Sequence, residues 1–334
     1  MMMTCQPVLG AGPASDGEET RRQSMAETQS KRLSLIMDDA TNKQIKDKMR
    51  QRRRSSSLSR LKIAGLRLHG REDDMSMLLG KLRDMKNLTM NELIMVTGTS
   101  GCGKSSLVMR GISDPAKKMG IAFCMGKFDQ SRNALPFSAF ASAISVLTEH
   151  ILASQKASQI NSSINEVLSE EDMQLISQTM QGCHRLFPSI GGEGIHSSID
   201  QGHGKDDVNR MQYAIRRFMK TVCSHLPVVF FIDDLQWADD SSLDLLLSLQ
   251  GDVDINSLLL VGAYRDDELH DGHPLAIRLR EVESVDSTII KIALANLDQK
   301  TTQSMVAEVL RMEDREDDVN SLATIIYRKT GGNP

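Results

Sequence analysis

At 334 residues, with 40 Lys and Arg against 44 Asp and Glu, the chain has room for one or two domains and a formal net charge of −4. That charge is divided: residues 1–60 hold 12 basic and 7 acidic side chains, net +5, so the remainder stands at −9, which argues against a nucleic-acid groove as the main business of the body. No run nears the ~18 consecutive apolar residues of a membrane span, and the start Met1-Met2-Met3-Thr4-Cys5 lacks the charged and apolar regions of a secretory signal. The cysteines (Cys5, Cys102, Cys124, Cys183, Cys223) are odd in number and without C-x-x-C spacing, so they read as free thiols of an intracellular, cytoplasmic protein.

Residues 1–60 are rich in Ser, Gln, Lys and Arg and poor in core-forming residues, the composition of a disordered tail. Within it Ser24, Ser34, Ser55 and Ser56 follow basic residues as targets of a basophilic kinase do. Leu33, Ile36, Met37, Ile45 and Met49 sketch a weak amphipathic helix there. A folded body is expected over 61–298, opening near Leu66 with helical spacing of Met75, Leu78, Leu79 and Leu82. Strand-like apolar runs come next at 92–97 and 121–128, and a helix face of Phe137, Phe140, Ile144 and Leu147 comes after Pro136. Residues 154–204 are polar and dotted with glycine, and read as a variable insertion with one helix (170–181) and a mobile loop. Val208, Met211, Ile215, Phe218, Val222 and Leu226 then trace an amphipathic helix into a third run, 228–232, with further runs at 257–263 and 288–294. Strands alternating with helices predict an α/β fold, a parallel sheet with helices on both faces. Helical segments at 299–311 and 315–329 predict the start of a small lid over 299–334.

Two motifs carry chemistry. Residues Gly98, Thr99, Ser100, Gly101, Cys102, Gly103, Lys104 and Ser105 form G-x-x-x-x-G-K-[ST] between the first apolar run and the helix-like segment that continues through Ser106. Such a phosphate loop wraps its N–H groups around an anion; Lys104 would meet the β- and γ-phosphates and Ser105 would give its hydroxyl to Mg2+. The run Val228–Ile232 ends in Asp233 and Asp234, as a Walker B strand does. A carboxylate there emerges at the sheet edge where ligands of open α/β sheets bind, so Asp233 is expected to hold Mg2+ through water and Asp234 to orient or deprotonate the attacking water. His270 and His273 lack a completing Cys or carboxylate set, so no metal is expected on them.

In order along the chain stand Gly70-Arg71-Glu72, the P-loop, Met125-Gly126-Lys127-Phe128-Asp129-Gln130, Asn209-Arg210, Asp233-Asp234-Leu235-Gln236-Trp237-Ala238-Asp239, Gly262-Ala263-Tyr264-Arg265-Asp266-Asp267-Glu268, His273-Pro274-Leu275 and Gly331-Gly332-Asn333-Pro334. Together, over about 66–334, they resemble the AAA-type ATPase domain of signal-transduction ATPases with numerous domains, found in hybrid serine/threonine and histidine kinases and related to the origin-recognition ATPase. The resemblance implies that Arg71 lies beside the nucleotide, that Arg265 reads the γ-phosphate, and that Asn333-Pro334 is a corner packing a helical lid over the adenine. A surface ion pair with Asp266 or Asp267 is the alternative for Arg265.

The motifs and the resemblance together lead us to expect an ATP-binding, slowly hydrolysing, Mg2+-dependent P-loop switch. Since relatives continue past the point matching Pro334, a fragment of a larger signalling protein or a truncated gene model is expected over a stand-alone ATPase. Its expected partners are ATP and ADP and effector or kinase domains in cis or trans, with a nucleotide-dependent homo-oligomer allowed and neither membrane nor nucleic acid. Two alternatives stay open: an initiator-type nucleic-acid-associated ATPase, favoured by the basic tail and opposed by the acidic body, and a small-molecule P-loop kinase, which would need a second substrate pocket and an Arg-rich lid. A GTPase is disfavoured because no Asn-Lys-x-Asp motif occurs.

Overall fold

The computed structural model describes residues 66–85, 91–130, 136–180, 182–187, 205–283, 289–312 and 315–334. The basic tail, with its serines and its weak helix, lies outside these residues, as does the loop anticipated before residue 205. In chain order come α1 (Glu72–Asp84), β1 (Asn91–Thr97), α2 (Lys104–Val108), α3 (Asp114–Met119), β2 (Ala122–Lys127), α4 (Ser138–Ala153), α5 (Ala157–Val167) and α6 (Glu170–Thr179). After them come α7 (Lys205–Cys223), β3 (Val228–Asp233), α8 (Asp240–Gln250), β4 (Leu258–Tyr264), α9 (Pro274–Glu283), β5 (Ile289–Ala293), α10 (Gln299–Leu310) and α11 (Glu316–Thr330). A π-helical turn, Met109–Ser113, joins α2 to α3.

The five strands form one sheet in the order β2-β3-β4-β1-β5, every neighbouring pair parallel. The inner strands β3 and β4 are covered on both faces, which is why their sequences are unbroken apolar runs, whereas the edge strand β5 is partly exposed and carries Lys291. The pleat sorts them by a period of two. Leu93, Met95, Phe230, Ile232, Leu258 and Leu260 face a large core with α4 to α9, while Ile94, Val96, Val229, Phe231, Leu259 and Val261 face a second core with α1, α2 and α3. Phe140 of α4 stacks on Phe230, ring centroids 5.9 Å apart. Burying each such ring contributes about 1.5–3 kcal/mol. Helix α4 lies close against β2 at Gly126, where an added Cβ would come 1.9 Å from the Ala139 carbonyl oxygen; a side chain there would push the helix off the sheet.

Within 154–204 the structure corrects the expectation of a single helix and a loose insertion: it has two helices, α5 and α6, and a 3₁₀ turn Cys183–Arg185. Ile160, Ile164, Met173, Ile176, Met180, Leu186 and Phe187 join the large core, so this stretch is packed as part of the body through residue 187. Helix α6 starts with a capping box in which Ser169 Oγ accepts from Asp172 N at 3.1 Å.

Helices α10 and α11 pair around their own small core of Val306, Ala307, Val319 and Ala323. Asp298 caps α10 by accepting from Thr301 N at 2.7 Å. Among the described residues no helix is long and apolar enough to cross a membrane.

Candidate functional site

The strand order puts β1 between β4 and β5, and the loop leaving β1 crosses the carboxyl edge of the sheet toward α2. That loop turns through left-handed glycines: Gly101 has φ 83° and Gly103 φ 99°, while Gly98 has φ 147° and leaves only 2.6 Å between a would-be Cβ and the Leu294 carbonyl. A Cβ at any of these positions would strain the backbone. Lys104 opens α2 and is buried; its Nζ donates to the carbonyls of Gly98 and Thr99 at 2.7 and 2.8 Å. Those two oxygens are what a phosphate would replace as partners of the ammonium.

Register brings in the other side. Lys127 pairs with Asp233 across β2 and β3, and Phe128 N extends that ladder to the Asp233 carbonyl at 3.1 Å. Asp233 and Asp234 are both buried. The Ser105 hydroxyl donates to Asp233 Oδ2 at 2.7 Å, joining the two motifs across 128 residues of sequence. Asp234 has φ 56°, a left-handed conformation that Asp tolerates better than most residues. The bend turns its carboxylate sideways into a set of partners: Lys127 Nζ lies 2.8 Å from Oδ2, while Gln236 Nε2 donates to Oδ1 at 3.2 Å and Arg265 Nε lies 3.6 Å from it. The contact with Asp234 raises the pKa of the Lys127 ammonium above that of an ordinary lysine.

Arg265 leaves the end of β4. Its guanidinium pairs with Glu268 at 2.6 Å and lies 5.1 Å from the centre of the Trp237 ring. The neighbouring acids Asp266 and Asp267, anticipated as its alternative partners, are thus replaced by Glu268 and Asp234. Gln236, also buried, ties the two strands together: its Oε1 accepts from Arg265 N at 3.2 Å while its amide holds Asp234. His273 fixes this bridge from outside, with Nε2 3.0 Å from the Gln236 carbonyl and Nδ1 accepting from Leu275 N. A structural task thus occupies both of its ring nitrogens.

Ser100, Gly101, Gly103, Lys104, Ser105, Ser106, Lys127, Asp233, Asp234 and Arg265 line one cleft of about 240 Å³. Arg71 does not line it. It is turned to the back of the loop, where its guanidinium donates to the carbonyls of Cys102 (3.3 Å) and Ala295 (2.5 Å). Cys102 is buried beneath the loop, and Pro334 is exposed. At that corner it is Asn333 that meets the loop, donating to the Ser100 carbonyl at 2.8 Å. A larger cavity of about 800 Å³ lies between the segment before α1 and the lid, lined by Arg67, His69, Lys300 and Glu308 among others.

The residues fit a triphosphate with its cation: a hydroxyl and a carboxylate 2.7 Å apart are hard oxygen ligands of the kind Mg2+ takes, and the cleft adds cations for phosphate. Cys102 is the thiol of the loop, its Sγ 3.9 Å from Lys104 Nζ. Cys124, Cys183 and Cys223 are buried and do not line the cleft, and burial pushes the Cys183 thiol up to about 11. Lys127 in the cleft and Gln236 behind Asp234 are the groups that motif reading passes over. Their signal was present only as membership of longer motifs.

A model of the AAA ATPase domain matches residues 67–261, more than half of the chain. No match is found among curated proteins. Among solved structures, the ORC1 protein of Aeropyrum pernix in complex with DNA is 11% identical, over 73% of this chain and 50% of that one, with a TM-score of 0.37. The corresponding values for Cdc6p from Pyrobaculum aerophilum are 12%, 80%, 58% and 0.42, and for Drosophila ORC bound to DNA 15%, 78%, 56% and 0.40. The chain thus spans about half the length of these structures, and likeness at this level says nothing of substrate or partner. The family match rests on a stretch that includes the phosphate loop and both aspartates, and by it this chain belongs to the AAA ATPase domain family.

Proposed function

We propose that the chain is a Mg2+-dependent ATP-binding switch that hydrolyses ATP slowly within a larger signalling protein. The observation that carries this is the Ser105–Asp233 hydrogen bond, which brings a hydroxyl and a carboxylate together beside Lys104 at the open edge of the sheet, a pair suited to holding the cation. When bound, Mg2+ would supply Lewis-acid neutralisation of phosphate charge, held by Ser105 directly and by Asp233 through water. Gly101 and Gly103 would admit the phosphates to the loop N–H groups, and Lys104 would exchange its two carbonyl partners for β- and γ-oxygens. Asp234 would orient the attacking water, and Arg265 would meet the charge on the γ-phosphate.

The lid gives this chemistry a route outward. Asn333 rests on Ser100 in the loop, Leu297 N donates to the Gly332 carbonyl at 2.8 Å, and Glu308 of α10 bonds His69 Nε2 at 2.6 Å and Arg67 N at 3.1 Å. A few hydrogen bonds of this kind are what a phosphate at the loop can bias, so nucleotide state would set the lid and through it effector or kinase domains. Nucleic acid is left out of this reading because the chain after residue 60 carries a net −9; the DNA named with two of the solved structures is a property of those proteins.

The test is Arg265→Ala. The parent should bind ATP more tightly than ADP and show different protease protection of α10 and α11 in the two states. The variant should keep ADP affinity and lose about 1–3 kcal/mol of the difference, the usual size of such a coupling. A parent whose lid responds alike to both nucleotides would overturn the switch. A variant that still distinguishes them fully would leave Arg265 as an ion-pair residue of Glu268.

A further inference from the structure

His273 does not line the cleft, yet its ring reaches the groups that do. Leu275 N donates to Nδ1 at 3.2 Å, so the ring carries its proton on Nε2, which donates to the Gln236 carbonyl 3.0 Å away. The two bonds have different tasks. The first caps α9: Pro274 and Leu275 are the first two residues of that helix, and the His273 carbonyl accepts from Ile277 N at 3.1 Å. The second has no part in the helix. It crosses 37 residues of sequence to the short turn Leu235–Trp237 that follows Asp234.

Two groups of the cleft hang on that turn. Gln236 is buried, and its one side-chain amide works in two directions, donating to Asp234 Oδ1 at 3.2 Å and accepting from Arg265 N at 3.2 Å. Trp237, the next residue, carries the ring under the Arg265 guanidinium. An amide that serves partners at the ends of two strands tolerates little rotation. Its aim depends on the direction in which the side chain leaves the backbone, and a hydrogen bond to the Gln236 carbonyl fixes the peptide that sets this direction. The His273 ring is itself held, bonded at both nitrogens and met edge-on by the His270 ring with centroids 5.7 Å apart.

We propose that His273 is a positioning residue for ATP hydrolysis: through the Gln236 carbonyl it holds the amide that aligns Asp234 with Arg265. The inference rests on the ATP reading above and adds to it a residue outside the cleft on which turnover depends. It also gives a reason for histidine at a helix cap that Ser, Asp or Asn would fill as well. Those side chains stop short of Gln236, and the imidazole does not.

The two bonds of the ring can be removed one at a time in the full chain. His273→Asn keeps an oxygen for Leu275 N and is too short to reach Gln236, whereas His273→Gln places an amide donor near the position of Nε2 and is a poor cap. Phosphate release under saturating Mg2+·ATP and the melting temperature without nucleotide are measured for each. His273→Asn should melt within about 2 °C of the parent and turn over about tenfold or more slowly, since a small misplacement far from the chemistry costs up to about a hundredfold. His273→Gln should melt about 2–4 °C lower, the effect of a lost cap in a body of this size, and turn over within about threefold of the parent. Gln236→Met should be at least as slow as His273→Asn, and combining the two should slow turnover little further, because one route carries both. With a parent that hydrolyses ATP, parental turnover in His273→Asn, or losses in both His273 variants that follow their melting temperatures, would overturn this inference alone by leaving the ring as a cap. Fully additive losses in the double variant would overturn it by removing Gln236 from the route. A parent that releases no phosphate would overturn the hydrolysis reading itself, and this inference with it.

Discussion

Asp234→Asn is expected to slow ATP hydrolysis by about 10²–10⁴-fold, the usual worth of a positioned general base, while leaving ATP binding intact. The carboxylate is buried, aimed into the cleft by a backbone at φ 56°, and steadied by the Gln236 amide. Asparagine has the same shape, and its oxygen can still accept from Gln236. What it lacks is the charge that draws a proton from water. The lost contacts with Lys127 and Arg265 should cost no more than about 1 kcal/mol of stability, because Lys127 is more than half exposed and can return to solvent while Arg265 keeps Glu268. Asp233 and Ser105, the proposed cation ligands, would remain in place. Phosphate release measured under saturating ATP checks this, and an unchanged rate would show that another group positions the water.

Lys104→Ala should be as large in binding as Asp234→Asn is in turnover. Removing one partner of a buried, hydrogen-bonded charge pair costs roughly 2–5 kcal/mol, which corresponds to ATP affinity lower by about 30-fold to several thousandfold. The fold should persist, since the groups left behind are the Gly98 and Thr99 carbonyls and Thr99 is at the surface. The measurement is the rise in unfolding temperature that ATP confers, present in the parent and absent in the variant. An equal rise in both would mean that the loop does not hold the phosphates.

The fold was legible to the extent that local pattern determined it. Five runs rich in apolar residues became five strands because the covered strands of a parallel sheet demand apolar sequence, and the carboxylates at the end of Val228–Asp233 and just after it emerge where that topology requires. Helix α5 was not legible. It has only Ile160 and Ile164 as fully buried anchors amid Ser and Asn, residues that favour caps and turns over helix interiors, and packing on α7 overrides that preference. At the site, Lys104, Ser105, Asp233 and Asp234 were readable because short spacing fixes them. Lys127 and Gln236 were not, since their positions depend on the register of β2 on β3 and on the approach of β4 to the turn after β3. Arg71 was placed by resemblance beside the nucleotide, and the structure turns it to the back of the loop against Cys102 and Ala295. From there it braces the loop.

On the proposed reading, one cleft joins the phosphate loop to a cation-holding aspartate for Mg2+·ATP. Titration calorimetry of the full chain with ATP, with Mg2+ present and then with Mg2+ removed by chelation, tests it most directly. A single site is expected, with an affinity that falls when Mg2+ is withdrawn, because Ser105 and Asp233 lose the ion that links them to the phosphates. Absence of binding at millimolar ATP, or an affinity indifferent to Mg2+, would contradict it.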